Sequence, residues 1–152
     1  MNQARLPASM PLKTCVAIAA ALAFSAASAA TMSRDEYSAG KDKIEAQYKS
    51  DKTACDGQSG NAKDVCVQEA KGKEDVAKAD LEYRYSGKDS DRMKVSMARA
   101  DADYSVAKER CDDQRGEAKS ACVSEAKANH EKAKADAKAS KARADMGKPT
   151  GN

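Results

Sequence analysis

Cys55-Asp-Gly-Gln-Ser-Gly-Asn-Ala-Lys-Asp-Val-Cys66-Val-Gln-Glu-Ala-Lys71 returns 56 residues later as Cys111-Asp-Asp-Gln-Arg-Gly-Glu-Ala-Lys-Ser-Ala-Cys122-Val-Ser-Glu-Ala-Lys127. The same offset carries Tyr48 onto Tyr104 and Gly60 onto Gly116. A tandem copy of this length, written in helix-forming residues, predicts a repeated supersecondary unit. In one continuous helix, positions eleven apart lie about 16 Å apart along the axis, too far for a disulfide. Gly57 and Gly60 offer a reversal that brings Cys55 beside Cys66. The same reversal sets Ile44 against Ala77 and Tyr37 level with Arg84 and Tyr85, so the apolar faces agree with the cysteine register. The pairing expected is Cys55–Cys66 and Cys111–Cys122.

One rival remains: a single long hairpin turning at Gly87, with Cys55–Cys122 and Cys66–Cys111. Its layout resembles the twin CX9C helical hairpins, with CX10C in place of CX9C. The symmetry of that rival follows from any tandem copy, so the glycine-rich first turn favours the local pairing.

Ala, Lys, Glu, Arg, Gln and Met dominate the chain, while β-branched and aromatic residues are scarce, which predicts helix throughout. Ser33-Arg34-Asp35-Glu36 reads as a capping box, with Met32 placed to staple against Tyr37. Asn61 reads as the N-cap of a second helix. Ser86-Gly87-Lys88-Asp89-Ser90 punctuates the chain between the copies. Met93, Met97, Ala100, Tyr104, Ala107 and Cys111 then form a heptad seam, answered by Cys122, Ala126, Ala133 and Ala137. The turn at Asp112–Gly116 lacks a counterpart to Asn61. Lys127 to Arg143 is an Ala/Lys/Asp tract of low complexity, a candidate for fraying. The expected fold is all-α, two tandem disulfide-stapled hairpins making four helices, elongated or loosely packed. The expected divisions are a cleaved signal peptide (1–29), a first hairpin (30–86), a second hairpin (87–146) and a disordered tail (147–152).

The signal reading rests on Arg5 and Lys13, an apolar run from Thr14 to Phe24, and Ala27-Ser28-Ala29 as an A-x-A cleavage site, with maturation at Ala30 or Thr31. The run is too short to span a bilayer. Cys15 leaves with it. Four cysteines remain in an exported chain, and an oxidising compartment favours disulfides over thiols or metal thiolates. Removing Arg5 and Lys13 from the 27 basic residues leaves 25 against 24 acidic ones, so steering by net charge is weak. The mature chain, about 120 residues, holds one small domain's worth of sequence. It has no Trp, and the one Phe lies in the signal.

Functional signals are few. A four-cysteine zinc site would need ligand pairs two to four residues apart, and redox catalysis a C-x-x-C pair. His130 stands among lysines without a catalytic neighbour and reads as a solvent-facing helix residue. The tyrosines read as padding for alanine seams. Lys127, Lys132, Lys134, Lys138, Lys141, Arg143 and Lys148 form the one basic run, suited to an anionic envelope surface rather than nucleic acid, which export removes from reach. The chain is read as a non-enzyme with no cofactor, catalytic residue or metal ligand, and no transmembrane segment after cleavage. The alternative reading is a metal or small-ligand carrier using the cysteines and His130.

The duplicated CX10C motif, together with Cys66-Val-Gln-Glu-Ala-Lys71 and its copy, resembles a group of exported proteobacterial proteins labelled TolA-like cell-envelope proteins. The resemblance covers nearly the whole mature chain; with the extended, charged, stapled helices read above, the expectation is a periplasmic or secreted protein with a structural or interaction role in the envelope, its partner an envelope protein or an anionic envelope surface. To TolA itself the likeness is the Ala/Lys/Asp-rich helical composition, and no functional residue carries over.

Overall fold

The computed structural model describes residues 32–147. The signal segment with its cleavage site and Cys15, and the tail beyond Gly147, lie outside the described residues. Four helices follow one another: α1 (Arg34–Ala54), α2 (Gly60–Ser86), α3 (Asp89–Cys111) and α4 (Gly116–Met146), with one 3₁₀ turn at Cys55–Gly57. Among the described residues there is no strand.

Of the four helices, α1 alone starts on a side-chain cap. At α1 the Ser33 hydroxyl accepts from the Glu36 N–H at 3.2 Å, and the Glu36 carboxylate accepts from the Ser33 N–H at 2.7 Å. That capping box satisfies two end-of-helix donors reciprocally. The start of α2 differs from the expectation. Its N-cap is Ser59, not Asn61, and Ser59 makes no side-chain cap. Gly60 sits at φ +57 as the first helical residue, which moves the start two residues upstream of the expected cap. Asn61, now inside the first turn, keeps a buried Nδ2 without a partner.

The second turn repeats the first although it lacks the Asn. Gly116 has φ +59, and Arg115 is extended as Ser59 is. Gln58 donates to the Cys55 carbonyl and Gln114 to the Cys111 carbonyl, each at 3.0 Å. Asp56 pairs with Lys63 and Asp112 with Lys119, again each at 3.0 Å. The glycine's access to positive φ is what both copies keep. Between the copies Gly87, at φ +65, closes α2 by donating to the Tyr83 carbonyl.

Backbone neighbours are consecutive helices only: α1 with α2, α2 with α3, α3 with α4. The helices therefore form an open antiparallel row, not a closed four-helix bundle. Ala70, Ala77 and Leu81 of α2 look toward α1, whereas Gly72 and Val76 look toward α3. Both cystine turns stand at one end of the row. The start of α1, the Gly87 turn and the end of α4 stand at the other.

The core is thin. Buried apolar residues are Ala70, Leu81, Val95, Ala100, Ala126 and Ala137, with Cys55 and Cys111 fully enclosed. Side chains this small stabilise a fold only if the backbones approach closely. A Cβ on Gly40 would stand 2.7 Å from Leu81 Cδ1, and one on Gly72 would stand 2.7 Å from the Ala102 Cβ. Neither distance is compatible with ordinary packing, so both glycines set the helix spacing. α4 continues as helix to Met146 through the low-complexity tract. Lys132–Asp136 and Lys141–Asp145 ion pairs run along it, and Ala137 is buried.

Candidate functional site: cystine turns, seams and a trough

The four cysteines form Cys55–Cys66 and Cys111–Cys122, each with Cα atoms 5.7 Å apart. The local pairing holds and the single long hairpin does not. Cys55 and Cys111 are wholly enclosed while Cys66 and Cys122 are half-buried. The thiols that a carrier would use are thus joined to each other. Among the described residues no group of three or more His, Cys, Asp or Glu is placed to hold a metal ion.

Two acidic side chains are buried where the sequence pointed to none. Glu74 is 8 % exposed on α2 and is held by Lys78 at 2.7 Å and Lys71 at 3.2 Å. Its hydrogen bond to Lys78 keeps its carboxyl below the ordinary 4.5, against the opposing effect of burial. Asp91 accepts from the Ser86 hydroxyl at 2.5 Å and pairs with Lys94 at 2.7 Å. Those bonds, that to Lys94 foremost, lower its carboxyl too and tie the Gly87 turn to the start of α3.

His130 corrects the sequence reading. Its side chain is 12 % exposed, not solvent-facing. It stacks on Tyr104 with centroids 4.7 Å apart and planes at 15°, and its Nε2 lies 2.5 Å from Asp101 Oδ1. A helix bearing alanine at Ala126 and Ala133 comes close enough to α3 for the imidazole one turn away to lie flat in the seam. The tyrosines pad seams as expected: Tyr37 stacks on Tyr85 at 4.5 Å and donates to Glu82 at 2.6 Å. That bond raises the Tyr37 phenol.

The grooves between helices are open. The one with the most aliphatic floor lies between α2 and α3, a trough of about 790 Å³. Gly72, Val76, Ala77, Ala102, Val106 and Ala107 make its floor, and Glu69, Lys73, Asp80, Arg99, Asp103 and Arg110 its rim. Arg110 reaches across to Glu69 at 2.7 Å, and Lys73 leans toward Asp51 at 3.7 Å. Sequence reasoning missed the trough because its floor carries only glycine, alanine and two valines.

On the opposite face of the row, a groove of about 900 Å³ is lined by Lys41, Lys49, Lys52, Lys78 and Lys94 with Glu45, Glu74 and Glu82 beside Tyr37 and Tyr48, and Lys49, Lys78 and Lys94 are ion-paired there. Lys127, Lys134 and Lys138 continue this face on α4, at spacings that place them on one side of the helix. None of those three forms an ion pair among the described residues. No described helix is long and apolar enough to cross a membrane. No family model matches the chain, and no curated protein or solved structure is found similar to it.

Proposed function

We propose that the protein is a non-enzymatic helical component of the periplasm, exported by its N-terminal signal, that acts through its surface in the cell envelope. The observation that carries this reading is the lysine face, with Lys127, Lys134 and Lys138 on one side of α4 and without ion pairs among the described residues. Such a face suits an anionic envelope surface or an acidic envelope protein, because compact ammonium groups attract lipid headgroup phosphate or carboxylate by charge. Disulfides closing both turns agree with an oxidising compartment. Open, alanine-floored grooves agree with surface contact more than with enclosed chemistry.

The test is retention on vesicles containing anionic phospholipid or lipopolysaccharide, paired with crosslinking in intact cells. Retention at low salt that fades as salt rises supports the proposal, as does loss of retention on changing Lys127, Lys134 and Lys138 to Gln. No retention on any envelope fraction, together with no crosslinked envelope protein, overturns it.

A further inference from the structure

The trough between α2 and α3 is the place where this fold is incomplete. Domains ordinarily consist of two packed layers, yet this row is one layer, and Val76 and Val106 lie half-exposed on its surface. The outer sides of the row do not share this feature. Carried along by the 56-residue offset, Val76 corresponds to Lys132 of α4, Val95 to Ala39 and Val106 to Ser50 of α1. Lys132 is itself paired with Asp136 at 2.7 Å. The ends of the row are thus polar or small, and the apolar surface left over is the broad face over α2 and α3.

We infer that this face binds a second copy of the same chain, layer against layer, about a two-fold axis that runs parallel to the helices. Charge selects the partner and the axis. Along α2 the rim reads Glu69, Lys73, Asp80; along α3 it reads Arg110, Asp103, Arg99, and the Gly72–Ala102 contact sets Lys73 nearly level with Asp103. The Glu69–Arg110 bond shows that an arginine spans the offset along the axis within one chain, and Arg99 stands at the same offset from Asp80. A dyad along the helices places α2 over α3 of the second copy without changing height. Lys73 then faces Asp103 of the second copy, and each arginine has a carboxylate within the reach seen in the Glu69–Arg110 bond.

The flanking helices obey the same rule. Counting from the cystines and from the Gly72–Ala102 contact sets Lys43 of α1 level with Asp136 of α4, and Glu36 level with Arg143. An in-plane dyad crossing the helices at the height of Lys73 would instead lay α2 on α2 and bring Lys73 against Lys73 and Asp103 against Asp103. That arrangement is rejected by like charge.

The floor fits a helical interface. Val76 and Val106 stand on either side of the Gly72–Ala102 contact and fill the shallow gap left by small residues opposite, large against small. The 23 residues of α3 are roughly 35 Å long, and two helices side by side are roughly 20 Å across. That footprint approaches the roughly 800 Å² per partner of a standard interface. Docking here leaves the lysine face outward on both copies, so the association does not depend on what that face binds.

Sedimentation equilibrium of the oxidised protein tests the inference, with twice the chain mass expected and association tightening with concentration. Lys73→Glu should weaken association tenfold or more, and K73E/D103K should restore it, because the exchange rebuilds both contacts across the dyad. Val106→Lys should leave a monomer. Helical circular dichroism and an unreduced mass showing both disulfides exclude misfolding as the cause. A single-chain mass at every concentration overturns the inference and leaves the trough to a different occupant. A dimer unaffected by both K73E and V106K overturns the assigned face.

Discussion

The two hairpins share a turn and differ in their seams. Glycine at positive φ, the Asp–Lys pair and the Gln-to-Cys carbonyl bond recur in the second turn as in the first. Ala70, Ala77 and Tyr48 recur as Ala126, Ala133 and Tyr104, but the bulkier facing residues do not. Gly40 opposes Leu81 in the first hairpin, and the equivalent residues of the second are Ser96 and Ala137. Ile44 becomes Ala100, Glu74 becomes His130, and the stacked Tyr37 and Tyr85 become Met93 and Lys141. A turn demands specific backbone angles and tolerates little change. A seam demands only that the summed bulk of facing side chains suit the helix spacing, so one large residue against none can give way to two small ones.

The largest expected difference follows from removing the staples. C111A/C122A and C55A/C66A each remove a closed loop whose contribution is about 3 kcal/mol. The second hairpin has mostly alanine to fall back on, whereas the first keeps Leu81, Ile44 and the tyrosine stack. Amide exchange should therefore show α4 opening far more in C111A/C122A than α1 opens in C55A/C66A. Equal opening would break the claim that the seams differ in strength.

Next in size is Gly40→Ala, which drives a methyl against Leu81. It should cost about 1–3 kcal/mol in chemical denaturation, while Ser96→Ala at the equivalent site stays within about 0.5 kcal/mol. Gly40→Ala combined with Leu81→Ala should recover part of the loss. A harmless Gly40→Ala would mean that helix spacing is set elsewhere.

The turns sharpen the comparison from the other side. Gly60→Ala and Gly116→Ala both place a side chain at positive φ, at about 1–2 kcal/mol each. The two losses should agree closely, since the turns have the same shape. Unequal losses in thermal unfolding would show that the shared backbone conceals a difference in support.

The smallest effect is on pH dependence. The Glu74 carboxyl lies lower in the folded chain than its ordinary 4.5. A lowered carboxylate stabilises above its unfolded value, and that contribution is lost as pH falls through the folded value. The melting temperature should thus decline below about pH 4.5, and Glu74→Gln should flatten that decline. An unchanged acid profile in the variant would remove Glu74 from the account.

Much of the local structure was legible in the sequence, because cystine register, capping boxes and glycine breaks are chemical signals carried by particular residues. Cys55, Cys66, Gly60 and Ser33 each announce what the backbone does next to them. The open row was not legible. It depends on α2 and α3 each having a second contact face, and that face is written in Gly72 and Ala102, residues with no hydrophobic contrast to their neighbours. Asn61 misled because an extended Ser59 before a left-handed glycine starts a helix without a side-chain cap. His130 misled because its lysine-rich surroundings in sequence say nothing of the alanine-flanked seam in which it lies.

Four antiparallel helices bring both ends of the row's chain out on the side away from the cystines. A pull between Arg34 and Met146 therefore loads the seams in the manner of a zipper, parting the Tyr37–Tyr85 stack and the last turns of α4 first. The tear travels along each hairpin and stops at a covalent bond, so the ten residues inside each disulfide loop add nothing to the extension. Force spectroscopy of the oxidised chain should show a shorter contour length than the reduced chain by two such loops, with each hairpin able to close again from its locked end.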